Sequence, residues 1–206
     1  MLRRRATALL VDMDGVLRRF DPRFAAAVER RYGLPAGALL DTAMGWSMLQ
    51  PALVGQVSHA DWLDGVARAL SGPAVSHQDA RAAVEEWQTD RGEIDPEVLA
   101  FVREVRAAGV RVGLATNATD RLDADLAALG VAGEVDLVLN SSVLGVHKPT
   151  KEYFRQACLA LETPPDRVLF VDDSDRMVRG ARVAGLSAYR WTGPADLPYL
   201  RAALGL

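Results

Sequence analysis

Two carboxylates that are two positions apart, Asp12 and Asp14, follow a short apolar segment near the start of the chain. Gly15 comes directly after them and permits a tight turn. A pair placed in this way suits a division of labour, in which one carboxylate attacks or binds a metal ion and the other transfers protons. Taken alone, the pair is equally typical of a strand end followed by an Asp-Gly turn.

A second acidic pair, Asp172 and Asp173, ends another apolar segment at residues 168–171. Two adjacent acids at the end of a buried strand are costly unless a cation or hydrogen-bond donors satisfy them. Oxygen ligands without His or Cys favour Mg²⁺ over zinc. This pair therefore predicts a magnesium site, and it is the most specific single element of the sequence.

Three further side chains have the chemistry to bind an anion. Thr116 and Asn117 end a third apolar segment, and Lys148 precedes Pro149 and a predicted helix. A lysine near several carboxylates offsets their repulsion and can bind a phosphoryl oxygen. Each signal is weak by itself, because Thr-Asn is also an ordinary helix N-cap and an isolated lysine is usually solvated.

The elements that must position these side chains alternate between strands and helices in the second half of the chain. Continuous apolar segments predict strands that are covered on both faces. Helical spacing, with Gly just beyond several ends, predicts the helices between them. The predicted strands span 6–11, 110–115, 135–139, 168–171 and 186–189, and the predicted helices span 96–108, 120–129, 150–161 and 175–184. This order predicts an α/β fold with a Rossmann-like, doubly wound parallel sheet.

The segment from 18 to 92 breaks this alternation and contains only helical patterns, at 22–31, 58–70 and 76–89. A connection of that length between two strands is better explained as a helical insertion than as a linker. The sequence therefore predicts a catalytic core formed by residues 1–17 and 93–206, with residues 18–92 as a helical cap.

Composition excludes several classes of protein. Half of the 206 residues are hydrophobic, and the net charge of −3 gives no basic footprint for nucleic acid. A single cysteine excludes a disulfide framework, and three isolated histidines do not form a plausible metal cluster. The basic start at residues 1–5 precedes too short an apolar run for a signal peptide, and no run is long enough for a membrane span. We expect a cytoplasmic protein without a membrane or nucleic-acid partner; its oligomeric state is not predicted.

The four groups of polar residues all fall at the C-terminal end of a predicted parallel strand or in the loop just beyond one. Because this edge is where open parallel sheets bind ligands, the fold should bring the groups into one cleft. Four acids, a lysine and a hydroxyl around a hard cation are typical of a phosphoryl-transfer site.

In chain order, these groups resemble the four motifs of the haloacid dehalogenase superfamily. The resemblance covers nearly the whole chain, and residues 146–189 resemble the branch with a helical cap inserted after the first motif. The motifs as they stand are Asp12-Met13-Asp14-Gly15-Val16, Thr116-Asn117, Lys148-Pro149 and Asp172-Asp173-Ser174.

This resemblance implies a role for each side chain of the reaction. Asp12 would be the nucleophile that forms an aspartyl-phosphate, and Asp14 would protonate the leaving oxygen and then activate the hydrolytic water. Thr116 and Lys148 would hold the transferring phosphoryl group, with Asn117 beside it.

The resemblance also implies the metal ligands and the substrate. Mg²⁺ would lie between Asp12, the main-chain carbonyl of Asp14, and Asp173, with Asp172 close by or bridged through water. The expected protein is a magnesium-dependent phosphomonoester hydrolase that acts on a small phosphorylated metabolite.

Other functions on the same fold are distinguished by single residues. The 2-haloacid dehalogenases lack an acid at the position of Asp14, and phosphonatases need a cap lysine, whereas the segment 18–92 contains none. A phosphomutase would keep both Asp12 and Asp14 and stays open. A phosphoacceptor receiver or a non-catalytic binding protein is a further alternative, although a receiver lacks such an insertion.

The sequence does not decide the roles of two residues, Met177 and Trp46. Relatives with the Asp-Asp-Ser pattern often have Asn four positions after the second acid, where this chain has Met177. A polar tie to the loop after Asp173 could therefore be missing. Trp46, next to Gly45 in the predicted cap, either contacts the leaving group or packs in the interior of the cap.

Overall fold

A computed structural model describes residues 5–206 of the chain. Residues 1–4, which begin the predicted core segment 1–17 and hold most of the basic N-terminal stretch, lie outside the described residues. Among the described residues, no helix combines the length and apolarity needed to cross a bilayer.

A five-stranded parallel sheet forms the centre of the molecule, in the order β5-β4-β1-β6-β7. The predicted doubly wound α/β fold is thus confirmed. Two further short strands, β2 and β3, pair antiparallel in a separate ribbon. The strands are β1 Ala8–Val11, β2 Arg18–Arg19, β3 Glu93–Ile94, β4 Arg111–Thr116, β5 Leu137–Asn140, β6 Val168–Asp172 and β7 Ser187–Arg190.

Helices cover both faces of this sheet, which explains why its strands are apolar without alternation. Leu9 and Val11 of β1 face one apolar cluster, and Ala8 and Leu10 face the other. Helices α6, α7 and α11 supply side chains to the first cluster, and α9 and α10 to the second. The core helices are α6 Pro96–Ala107, α7 Leu122–Ala128, α8 Ser141–Leu144, α9 Lys151–Ala160, α10 Asp175–Val183 and α11 Leu197–Leu204.

Five helices lie between β2 and β3, and they have two apolar clusters of their own. Sequence patterns predicted three of them and missed α2 and α3. Helix α2 is short and begins after Gly37 in a left-handed conformation, and α3 contains Pro51, so neither carries a strong helical signal. The helices are α1 Pro22–Arg31, α2 Ala38–Ala43, α3 Trp46–Leu53, α4 His59–Leu70 and α5 His77–Trp87.

The chain enters and leaves this helical insertion through the β2–β3 ribbon. Arg18 pairs with Ile94, and Arg19 pairs with Glu93. The Asp95 amide also donates to the carbonyl of Leu17, at 2.9 Å. The two chain connections between the insertion and the core therefore run side by side, directly beyond the acidic turn that follows β1.

A buried carboxylate takes the place of a side-chain cap at the start of α2. Glu29 of α1 is 4% exposed, and its two oxygens accept the amides of Gly37 and Leu39, each at 2.9 Å. These amides have no intrahelical partner, so Glu29 satisfies donors that would otherwise be buried unpaired.

Replacing Glu29 with Gln should destabilise the protein by about 1–3 kcal/mol, because an amide nitrogen cannot accept one of these two hydrogen bonds. The measurement is chemical denaturation followed by circular dichroism. Glu85→Gln is the matched control, since Glu85 pairs with Arg81 on an exposed surface of α5 and should change stability by no more than about 0.5 kcal/mol. Equal stability of the two variants would contradict the capping role of Glu29.

Candidate active site

The topology of the sheet brings the predicted catalytic groups to one edge. Asp12 directly follows β1, while Thr116 and Asp172 are the last residues of β4 and β6. These two strands flank β1 on either side. The carboxyl ends of three adjacent parallel strands therefore present their polar side chains together.

The side chain of Lys148 links the carboxyl ends of β1 and β6. Its Nζ atom lies 2.8 Å from Asp12 Oδ1 and 2.8 Å from Asp172 Oδ2. It is only 2% exposed, and Asp172 is completely buried. Nζ also lies 5.3 Å from the centre of the Phe170 ring. One ammonium group is thus shared by two buried carboxylates, and the lysine is not the solvated surface residue that its sequence context also allowed.

Backbone amides orient the two carboxylates further. Met13 N donates to Asp12 Oδ1 at 2.7 Å, so that this oxygen accepts from both an amide and Lys148. Ser174 N donates to Asp172 Oδ1 at 2.9 Å. Asp172 consequently has one donor on each oxygen, which fixes the plane of its carboxylate.

Burial dominates the electrostatics of this cluster. It raises the pKa of Asp12 well above its usual range, against the opposing effect of Lys148, and Asp172 adds to the rise. Burial lowers the pKa of Lys148, but Asp12 and Asp172 together raise it above its usual value. Burial, followed by the charges of the same two acids, raises the pKa of Tyr153 well above its usual range. At Asp12, burial together with the charge of Asp172 therefore outweighs the opposing effect of the single lysine.

The same cluster has the donor set of a hard cation. Asp12, Asp172 and Asp173 each offer a carboxylate oxygen, and these oxygens lie within 4.8 Å of one another. Burial and the charge of Asp172 raise the pKa of Asp173. Three carboxylates against one ammonium leave an excess of negative charge, and oxygen-only ligands fit Mg²⁺. Gly15, at φ +83°, leaves the space that the Asp173 carboxylate occupies, because a Cβ at this position would overlap that carboxylate.

The carboxylate of Asp14 lies apart from this cluster and is paired with Arg18. Arg18 Nε donates to Asp14 Oδ1 at 2.6 Å, and Nη2 donates to Oδ2 at 3.1 Å. The side chain of Asp14 is 46% exposed, whereas that of Arg18 is 7% exposed. Asp14 was predicted as a metal ligand through its main-chain carbonyl only, and the placement of its carboxylate is compatible with that.

Thr116 and Asn117 occupy the end of β4, as predicted, but Asn117 makes contacts that the sequence did not indicate. Lys148 N donates to Asn117 Oδ1 at 2.8 Å, and Asn117 Nδ2 donates to the Lys148 carbonyl at 3.0 Å. The amide side chain therefore fixes the backbone of the lysine. Thr116 is 1% exposed at the strand end next to β1.

The chain is similar to known proteins over most of its length. The family model described as haloacid dehalogenase-like hydrolase matches residues 6–185. A phosphatase of Mycobacterium tuberculosis is 30% identical over 189 residues, which cover 89% of this chain and 86% of that protein. The chain belongs to the haloacid dehalogenase-like hydrolases. It is therefore an enzyme of the hydrolase class, as predicted.

Two further similarities extend over nearly the whole chain. A plasmid-encoded phosphoglycolate phosphatase of Cupriavidus necator is 29% identical over 211 residues, covering 97% of this chain and 86% of that protein. The crystal structure of a family enzyme from Bacteroides thetaiotaomicron, in complex with magnesium and inorganic phosphate, superimposes with a TM-score of 0.74. It is 20% identical and covers 95% of this chain and 98% of that one. At this identity, the structural likeness shows the fold alone.

In this haloacid dehalogenase-like hydrolase, the loop after Asp173 has polar contacts, although the side chain of Met177 provides none of them. Its side chain packs against the apolar cluster between the sheet and α9 and α10. The loop is held instead by the bond of Ser174 N to Asp172 and by Arg190 Nε, which donates to the Asp173 carbonyl at 3.2 Å. Other contacts thus take the place of the expected tie.

Trp46 does not pack in the interior of the helical insertion. It is 52% exposed, and its ring lies 5.0 Å, edge-on, from that of His147, the residue before Lys148. The guanidinium of Arg176 lies 6.0 Å from the Trp46 ring. The tryptophan therefore connects α3 of the insertion to the loop before Lys148 and to the first turn of α10, a contact that sequence periodicity could not show. Its contact with a leaving group remains a prediction.

A cavity of about 320 Å³ lies between the helical insertion and the core, and Asp14 and Asn117 are part of its wall. The insertion contributes most of its apolar lining, and the loop after β4 contributes Thr119 and Arg121. Sequence analysis missed this cavity and the buried Arg18. An arginine next to Arg19 in a polar segment carries no signal that it is buried.

Gly180 of α10 allows the Lys148 loop to approach the helix. A Cβ at this position would lie 2.9 Å from the Pro149 carbonyl oxygen and closer still to its Cβ. Gly180→Ala should therefore destabilise the protein by about 1–3 kcal/mol and reduce hydrolysis, because Pro149 and Lys148 must shift.

The matched control is Gly65→Ala in α4, where a new Cβ would meet only the flexible Met48 side chain, at 3.2 Å. That variant should be unchanged or gain up to about 1 kcal/mol, since alanine is the better helix former. Thermal melts and initial rates of both variants are the measurements. If both glycines behaved alike, close packing at Gly180 would not constrain the lysine loop.

Proposed function

We propose that this hydrolase is a magnesium-dependent phosphomonoester phosphatase that acts through an aspartyl-phosphate on Asp12. The observation that carries the proposal is the position of Lys148, 2.8 Å from both Asp12 and Asp172 beside a third carboxylate. An ammonium at that place can bind an oxygen of a transferring phosphoryl group. The relatives named as phosphatases, which match most of the chain, support the same reaction.

Asp12 is the candidate nucleophile because it is held in one orientation at the strand end. Its Oδ1 accepts from Met13 N and Lys148 Nζ, which leaves Oδ2 for attack or for the metal ion. Attack by a carboxylate oxygen on phosphorus expels the alcohol and leaves the phosphoryl group on Asp12. Attack of water on that phosphorus then releases inorganic phosphate and restores the carboxylate.

Asp12, Asp172 and Asp173 are the side chains that would hold Mg²⁺, together with the predicted main-chain carbonyl of Asp14. When bound, the ion neutralises the carboxylates and polarises phosphoryl oxygens. Lys148 and the Thr116 hydroxyl would hold the phosphoryl oxygens. Asn117 would contribute by keeping the lysine loop in place, since both polar atoms of its amide bind the Lys148 backbone.

Asp14 would carry protons to the leaving oxygen and from the hydrolytic water. Both of its oxygens accept hydrogen bonds from Arg18. Arg18 therefore fixes the orientation of the Asp14 carboxylate.

The helical segment 18–92 would act as a cap over this site, on a core formed by residues 1–17 and 93–206. Support comes from the cavity between insertion and core, which includes Asp14 in its wall. A cap at this place excludes water from the leaving group and discriminates between leaving groups by their shape and polarity. The experiment that tests the function is phosphate release from phosphate monoesters with Mg²⁺ present. Release without a phosphorylated product distinguishes a phosphatase from a mutase.

Asp12→Asn should reduce phosphate release by roughly 10³-fold or more, because the amide is nearly the same shape but is not a nucleophile. The melting temperature should stay close to that of the wild type, since the amide oxygen still accepts from Lys148. Asp64→Asn, at an exposed ion pair on α4, is the control and should keep full activity. An Asp12→Asn protein that kept about a tenth of the wild-type rate would exclude Asp12 as the nucleophile.

Removal of divalent cations with EDTA should abolish activity, and Mg²⁺ should restore it, whereas Ca²⁺ should not, because Ca²⁺ prefers more ligands and longer bonds. Asp173→Ala should raise the Mg²⁺ concentration needed for half-maximal activity and weaken Mg²⁺ binding in calorimetry. Asp175→Ala, two residues away and paired with Arg179, is the matched control. Full activity in EDTA, with no metal found by elemental analysis, would refute the metal site.

A further inference from the structure

The cavity next to Asp14 is lined mainly by apolar side chains of the helical insertion. Large apolar side chains that are exposed on a protein surface are usually scattered. Here three of them, which are 38–50% exposed, converge on one cavity, and they are Phe20, Leu40 and Met44. Leu49, Trp62 and Trp87 extend the same wall inward. Such a lining favours a ligand that removes these surfaces from water.

The cationic side chains in the lining are already paired with carboxylates of the protein. Arg18 holds both oxygens of Asp14 and lies 3.6 Å from Asp125. Arg121 Nε donates to Asp125 at 3.0 Å, and its Nη1 donates to the carbonyl and the side chain of Gln88. A ligand carboxylate would have to displace these partners, and it would meet further carboxylates in the same wall.

The remaining ionisable groups of the lining do not favour an ion either. Burial, with the charge of Arg121, lowers the pKa of His59, so its imidazole is neutral near pH 7. Asp21 is paired with Arg23, and Asp90 accepts the amide of Gly92 at 2.9 Å. The cavity therefore presents apolar walls with mostly compensated charges, not a site for an anion or a cation.

The size of the cavity suits a ring or a short chain. A protein cavity of about 150 Å³ admits benzene, and this one is about 320 Å³. Asp14, the group proposed to protonate the leaving oxygen, is part of its wall. A group esterified to the phosphate would therefore extend from Asp14 into the apolar space.

We propose that the leaving group accepted by this enzyme is an uncharged aromatic or aliphatic alcohol, and not a hydroxy acid, an amino alcohol or a sugar. This inference rests on the proposed phosphatase function and specifies its substrate class. It sets the chain apart from its phosphoglycolate phosphatase relative, whose named substrate carries a carboxylate. The specificity-determining side chains are Phe20, Leu40, Met44, Trp62 and Trp87.

The test compares phosphate esters of primary alcohols, so that the chemistry of the leaving oxygen is similar in all of them. The panel is 2-phenylethyl, hexyl and choline phosphate, phosphoserine, phosphoglycolate and glucose 6-phosphate. We expect kcat/KM for the first two to exceed that for each of the others by about tenfold or more, the scale on which apolar pockets discriminate. A higher kcat/KM for phosphoglycolate, phosphoserine, choline phosphate or glucose 6-phosphate would overturn the inference.

Met44→Lys tests the wall itself. Met44 is 50% exposed, so the substitution should not unfold the protein. The new ammonium should lower kcat/KM for 2-phenylethyl phosphate by about fivefold or more and raise it for phosphoglycolate. Leu159→Lys, on the exposed face of α9, is the matched control and should leave the ranking unchanged. The same ranking in Met44→Lys and in the control would contradict the assigned wall.

A binding measurement separates this inference from the phosphatase proposal. Trp62 and Trp87 line the cavity, so 2-phenylethanol should change the tryptophan fluorescence of the wild type in a saturable way, and glycolate and choline should not. Met44→Lys should weaken this binding, and Leu159→Lys should not. Saturable binding without hydrolysis of any ester would refute the phosphatase proposal and keep the apolar pocket. Hydrolysis of acetyl phosphate without a preference among the esters, and without binding of the alcohol, would keep the phosphatase and refute the pocket.

Discussion

The arrangement of this enzyme depends on one constraint, the placing of several carboxylates at the carboxyl ends of adjacent buried strands. Asp12 and Asp172 cannot both be charged at this depth without a cation between them. Lys148 supplies one, at 2.8 Å from each. It is not sufficient, because Asp173 lies in the same group and the pKa of Asp12 stays raised by burial. In the proposed function this imbalance has a use, because a site with excess negative charge would attract a divalent cation, and the cation would hold a phosphoryl group.

The position of the charged side chains depends on residues that are themselves uncharged. Asn117 binds the lysine backbone through both atoms of its amide. Gly180 is small enough for α10 to lie against Pro149, and Gly15 makes room for the carboxylate of Asp173. Each of them positions a charged side chain, and Asn117 is in addition part of the cavity wall. They are required because the charged side chains must meet within hydrogen-bonding distance in a closely packed interior.

The sequence predicts those elements that are determined by nearby residues along the chain. The five core strands and four of the core helices follow from periodicity and glycine stops, and the order of the motifs along parallel strands places Asp12, Thr116 and Asp172 at one edge. Helices α2 and α3 were missed, since one is capped by the distant Glu29 and the other contains a proline. The pairing of Arg18 with Asp14 could not be predicted, because the burial of Arg18 depends on the return of the chain at Arg91 and on α7.

In the proposed mechanism, the same pairings would link proton transfer by Asp14 to the position of the insertion. Asp125 of α7 binds Arg121 of the core and Arg91 of the insertion, and it lies 3.6 Å from Arg18, which in turn holds Asp14. Arg121 also donates to the carbonyl of Gln88 in the insertion. The hydrogen-bond and ion-pair partners named above for Asp12 and Lys148, by contrast, belong to the core. Movement of the insertion would thus disturb Arg18, and through it Asp14, while Asp12 kept its place. In the mechanism proposed for this chain, attack on phosphorus therefore depends on the rigid sheet, and protonation of the leaving group depends on how the cavity above it is closed.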